Sequence, residues 1–261
     1  MRSAPAILGV LLQTIAALSQ IHAAQPAPPP DGLLEKARRA ALNYAASLPD
    51  FLCTEVIHRY EDPRGANRWS NLDVLTVRLS YYQHAEDYKL TAIDGNPTTL
   101  DYMKTGGPTT KGEFGALLYL LFHPQSGAMF HWKGWTNYHK RRAAVFTYKI
   151  DQAHSSYRVS FGTTVDGPNS ILAPYHGEVY VEPETGGILH ATQLAELPLN
   201  FPIRQSDTTV DYAYAAVGGR QYLLPARAEI TLASGRYKGR NEVQFQKYQR
   251  FNTESTIDFG K

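Results

Sequence analysis

TKGEFGALLYLLFHP, residues 110–124, is the stretch on which the reading of the fold turns. Thr110 and Glu113 stand three apart in the pattern of a capping box, and Phe114, Leu117, Leu118 and Leu121 follow at helical spacing. Pro124 stops the helix at His123. Tyr119, Leu120 and Phe122 fill the other positions, so the helix is apolar nearly all round, with Gly115 its weak point. A helix with no wet face is expected to be buried, and a short one among strands is expected to plug a curved sheet.

Strands do surround it. Leu75, Val77, Leu79 and Tyr81 alternate with Thr76, Arg78, Ser80 and Tyr82. The same period of two runs through Tyr88–Leu90–Ala92, Phe146–Tyr148–Ile150, Tyr157–Val159–Phe161 and Val179–Val181. It continues in Val210–Tyr212–Tyr214, Ala228–Ile230–Leu232, Val243–Phe245 and Ile257–Phe259. One-sided alternation means one face buried and one wet, the mark of an antiparallel sheet. Asp94-Gly-Asn96, Glu184-Thr-Gly-Gly187 and Val217-Gly-Gly219 supply turns, and Ser234-Gly-Arg-Tyr-Lys-Gly-Arg240 forms a longer, basic hairpin tip. Roughly ten strands in mostly hairpin order follow. No alternation of strand and crossover helix points to a parallel sheet.

One amphipathic helix precedes the strands. Leu33, Leu34, Ala37, Ala40, Ala41, Tyr44, Ala45 and Leu48 recur at steps of three and four, between a cap at Asp31 and a stop at Pro49. A long, twisted antiparallel sheet must curl to hide its apolar face. The expected fold is therefore mainly β, of the α+β class. It is a long curved antiparallel sheet forming a half-barrel or open barrel, with the N-terminal helix and the inserted apolar helix on its concave side.

Composition narrows the function. The 261 residues carry 26 Lys+Arg against 24 Asp+Glu, which excludes a strongly basic nucleic-acid binder as a description of the whole chain. Hydrophobic residues make up 43%, enough for a sizeable core. Tyr outnumbers Phe and Trp together, 17 against 10 and 3, and suits half-buried strands with the ring packed and the hydroxyl wet.

Arg2 followed by a short apolar run to Leu18 and small residues near Ala24 reads as a secretory signal peptide over 1–24. The run is shorter than the roughly 20 residues of a spanning helix, which disfavours the rival reading of an uncleaved anchor. Pro26, Pro28, Pro29 and Pro30 make 25–30 a stiff spacer, and 31–261 reads as a single half-barrel domain. The expected location is periplasmic or secreted, with no stable membrane anchor after cleavage. Cys53 has no partner for a disulfide; it is either a buried small hydrophobe or a reactive thiol.

Catalytic signatures are missing. The sequence has no phosphate-binding Gly-rich loop, HExxH, CxxC or Gly-x-Ser-x-Gly. No catalytic residue, metal ligand or cofactor is expected. His123, His131 and His139 recur at eight, a spacing that fits no common ligand set. His84 beside Glu86 and Asp87 reads as a solvated hairpin end, or as the best candidate for a hydrolytic site. Lys140-Arg-Arg142 among aromatics reads as a charged strand end or as a head-group site. Phe114, Leu117, Leu118, Leu121, Phe130, Trp132 and Trp135 remain, either as plain core or as the lining of a hydrophobic pocket.

The hairpin GEVYVEPETGGI, residues 177–188, and the segment QYLLP, residues 221–225, carry a resemblance. With the order of leader, helix, strands, inserted apolar helix and further strands, they resemble the lipoprotein-carrier and lipoprotein-sensor superfamily, whose members include outer-membrane lipoprotein-sorting proteins. The start LPDFLCT, residues 48–54, also looks like that of a group of secreted bacterial proteins. The resemblance implies a half-barrel with a helix lid and an apolar cavity, and carries over no functional residue. Three functions follow from the sequence. The first is an exported soluble carrier with an apolar cavity, whose partner is a lipid or lipoprotein acyl chain. The second is a cell-envelope interaction module with a self-filled core, whose partner is an envelope protein. The third is an unrecognised hydrolase. Nucleic acid is not an expected partner.

Overall fold

The computed structural model describes residues 27–83, 85–106, 116–161 and 170–251. The leader, His84, the capping-box pair Thr110 and Glu113, Phe114, and the closing strand expected at Ile257 and Phe259 lie outside the described residues.

Helix α1 spans Leu33–Ser47. Its buried residues are Leu33, Ala37 and Ala41, and Leu34 and Tyr44 pack half-buried beside them, on the stripe that the spacing predicts. Pro49 separates it from β1, Phe51–Asp62. There follow β2 Ser70–Tyr82, β3 Ala85–Ile93 and the short β4 Asn96–Pro97. Helix α2 is Ala116–Phe122. Then come β5 Met129–Tyr138, β6 Arg141–Ile150, β7 Arg158–Ser160 and β8 Ser170–Leu172. The last run is β9 Tyr175–Val181, β10 Ile188–Ala195, β11 Ile203–Val217, β12 Arg220–Ser234 and β13 Tyr237–Arg250.

Eleven of these strands make one antiparallel sheet in the order β4-β3-β2-β1-β13-β12-β11-β10-β9-β6-β5, while β7 and β8 pair separately. The sheet is curved and open, a half-barrel whose edges are β4 and β5. At about 4.8 Å per strand the arc between those edges is about 48 Å. Strands β4 and β5 are consecutive in the sheet's chain order but lie at opposite edges. The connection between them therefore has to traverse the molecule, and α2 lies in that connection, packed on α1. Arg38 Nη1 ties the two helices by donating to the carbonyl of Phe122 at 3.0 Å.

The inserted helix differs from expectation in one respect. Leu118, Leu121 and Phe122 are buried, but Tyr119 and Leu120 are 44% and 38% exposed. One side of α2 rests on the core and the other faces water. It lies on the concave side as a cover, not as a rod enclosed on all sides.

The inner face of the sheet is continuous with the helices. Leu75, Val77, Leu79 and Tyr81 of β2, Val179 and Val181 of β9, and Ile230, Val243 and Phe245 of the later strands share one core with α1 and α2. The tyrosines differ from the wet-hydroxyl expectation. Tyr44, Tyr148 and Tyr248 donate to the carbonyls of Leu223, Thr192 and Pro225 at 2.8, 2.6 and 2.6 Å. A buried phenol without such an acceptor would lose its water bonds uncompensated. Cys53 is buried on the inner face of β1, where burial pushes its thiol above the usual range. That environment is that of an inert small hydrophobe.

Candidate functional site

Strands β5 and β6 bring four aromatic rings into one layer. The register pairs Phe130 with Tyr148 and Trp132 with Phe146. Phe130 stacks on Phe122 of α2 with centroids 5.1 Å apart, and Trp132 meets Phe146 and Trp135 edge-on, each at 5.4 Å. A bulge between Trp132 and Gly134 shifts the register of β5 at that point. Trp135 lies beyond it, with the guanidinium of Arg142 3.9 Å above its ring.

Trp135 also reaches the start of the described chain. Its Nε1 donates to the carbonyl of Ala27 at 3.0 Å. This bond holds the start of the proline segment 27–30 against β5 as a strap. Between this strap, the first turn of α1 and the aromatic layer is a groove of about 460 Å³. Its walls include Pro28, Pro29, Pro30, Leu33, Leu34 and Phe146, and Arg38 with Glu35 stands at its rim. Arg38 Nε lies 3.3 Å from Glu35, and Asp31 adds a second carboxylate to the lining.

None of the sequence-predicted residues that the structure describes is in the wall of this groove. Trp132 stands next to Phe146, which does line it, and Trp135 stands next to Trp132. Leu118 and Leu121 are core, and Leu117 and Phe130 pack half-buried against that core. The residues that sequence reasoning missed are Phe146, Leu33, Leu34, Arg38 and the prolines. Phe146, Leu33 and Leu34 were legible as apolar face positions. Arg38 and the prolines carry no periodic signal, and only the fold brings them together.

The arginines of the basic cluster are engaged by their neighbours. Arg141 pairs with Glu182 and lies over the ring of Tyr214, and Arg142 covers Trp135. The basic cluster is therefore a strand start held by its neighbours, with His139 and Lys140 forming the β5–β6 turn at positive φ. Glu182 also accepts from Thr185 and Tyr214, each at 2.7 Å. Burial pushes its carboxyl up, but the bonds from Tyr214, Thr185 and Arg141 outweigh this and hold it below the usual range. The turn after it closes tightly, since Gly186 sits at φ 75 with the backbone of Lys36 against it. Here Lys36 Nζ donates to the carbonyls of Pro183 and Glu184, so the hairpin at 182–187 is a docking point for α1.

One acid–base cluster lies apart from the groove. His190 Nδ1 is 2.6 Å from Asp211 Oδ1, and Tyr138 donates to the same carboxylate. Burial pushes Asp211 up, and the bonds from His190 and Tyr138 reverse this and leave it below its ordinary value. A depression of about 300 Å³ adjoins it, with Arg227, Glu229 and Glu242 in its lining. That lining of opposed charges does not suit an apolar chain. Among the described residues no group of three or more His, Cys, Asp or Glu is placed to hold a metal ion. No described helix is long and apolar enough to cross a membrane.

Solved structures resemble this chain. A LolA superfamily protein from Nitrosomonas europaea aligns at TM-score 0.40 and 9% identity, over 87% of this chain and 95% of its own. A putative outer membrane lipoprotein-sorting protein domain from Vibrio parahaemolyticus aligns at TM-score 0.40 and 12% identity, over 85% and 92%. A DUF1329 family protein from Desulfovibrio piger aligns at TM-score 0.38 and 8% identity, over 90% and 95%. No protein-family model and no curated protein matches the chain.

Proposed function

We propose that the chain is an exported, soluble carrier that holds an apolar ligand, the acyl chain of a lipid or lipoprotein, in the groove under the proline strap. The observation that carries this reading is the groove itself. Its volume of about 460 Å³ falls in the range of small-molecule sites, roughly 300–1,000 Å³, and its wall is mostly apolar with a few polar groups at the rim. The export assignment rests on the leader pattern of residues 1–24.

Native mass spectrometry of protein purified without detergent tests the proposal. A bound species of lipid mass is expected, and Leu34→Glu is expected to lose it while circular dichroism stays unchanged. An unliganded mass, together with no uptake of a fluorescent fatty acid, rejects the carrier reading.

A further inference from the structure

We propose that one end of the half-barrel is a docking surface for an anionic lipid bilayer. It is formed by the β1–β2 turn, the β12–β13 turn and the loop that leads into β11.

The three loops are neighbours. A side-chain carbon on Gly65 would lie 2.8 Å from the carbonyl oxygen of Arg236, so the first two turns touch. Lys238 Nζ donates to Asn67 Oδ1 at 2.9 Å across the same gap. Ser234 Oγ donates to the carbonyl of Pro202 at 3.1 Å, which joins the third loop to the second. Residues 62–69, 197–204 and 234–238 contain five cations, Arg64, Arg68, Arg204, Arg236 and Lys238, against one acid, Asp62. Asp62 is turned inward and buried, accepting the backbone N–H groups of Arg64, Ala66 and Asn67. The four arginines are exposed, and among the described residues none of them forms an ion pair through its side chain. A chain of formal charge +2 thus gathers its surplus at one end.

From that end projects Leu199, 89% exposed. Single exposed leucines are ordinary. This one is held out by a closed loop: Phe201 N–H donates to the Pro198 carbonyl at 3.0 Å, and Phe201 packs into the small core of Val159, Ala173 and Ile203. A fixed apolar tip on the same end of the sheet as four exposed arginines matches a bilayer interface, where the side chain enters the acyl boundary and the guanidinium groups meet lipid phosphates. This inference is independent of the groove.

The test is co-sedimentation of the full chain with vesicles of one part phosphatidylglycerol to three parts phosphatidylcholine, against pure phosphatidylcholine. Binding to the anionic vesicles is expected, weakening as salt rises. Arg64→Ser and Arg236→Ser should each weaken it about fivefold. Leu199→Asp should weaken it about tenfold. All three positions are exposed, so the variants keep the fold, and Leu199→Asp should keep any lipid that copurifies in the groove. Equal binding to both vesicles overturns the proposal. So does unchanged binding by the variants, or capture of an acidic protein by a chain that ignores vesicles.

Discussion

Arg59 is 4% exposed on the inner face of β1, and its Nε and Nη2 each lie 2.6 Å from a different oxygen of Asp73. Its remaining nitrogen donates to the carbonyl of Gly106, which anchors the start of the crossing segment. Breaking a buried pair on one side leaves a charge without compensation. Arg59→Ala is therefore expected to cost about 3–5 kcal/mol in urea denaturation, and Arg59→Lys less, because the charge stays while the fork is lost. A second residue ties stability to pH. Glu182 is held below the usual carboxylate range in the folded state. Its contribution is whole above the unfolded glutamate value of about 4.3 and is lost as pH falls through the lower folded value. The stability gap between the native chain and Glu182→Gln should be widest near neutrality and close toward acid. These residues also mark where the sequence misleads. The inner positions of β1 are Phe51, Cys53, Glu55, Ile57 and Arg59, all buried. Two charges on the core side erase the apolar alternation, so this central strand carries no periodic signal.

At the scale of elements, α2 separates composition from placement. Seven residues, ALLYLLF, are apolar in every position, so no pattern within them can say which side meets water. The crossing from one sheet edge to the other decides it, setting Leu118 and Leu121 inward and Leu120 outward. Leu121→Ala is expected to cost about 2–5 kcal/mol and Leu120→Ala within about 0.5 kcal/mol, measured by thermal or urea unfolding. Equal losses at the two sites would restore the fully enclosed helix. Strand β5 was hidden for another reason. Its bulge at Gly134 shifts the register between Trp132 and Trp135, so a period-two reading breaks halfway along. Helix α1 and strands β2 and β9 were legible because each buries one regular face, and β6 was legible in its second half, where Phe146, Tyr148 and Ile150 alternate with Thr147 and Lys149.

Across the whole molecule, the half-barrel and its helices could be read from periodicity, but the groove could not. It needs the strap, α1 and β6 in one place, and those come from chain positions far apart. The same remoteness governs the sheet. Its first four strands join the rest through the pairing of β1 with β13, partners about 190 positions apart in sequence. A ribosome adding about 5–20 residues per second leaves β1 waiting roughly 10–40 seconds for the strand that completes its free edge. Until then the inner surface of the first four strands stays uncovered on that side, and loop closure over such a span is slow. The newborn chain is therefore a poor candidate for folding early and a good one for being threaded through a narrow pore while still extended.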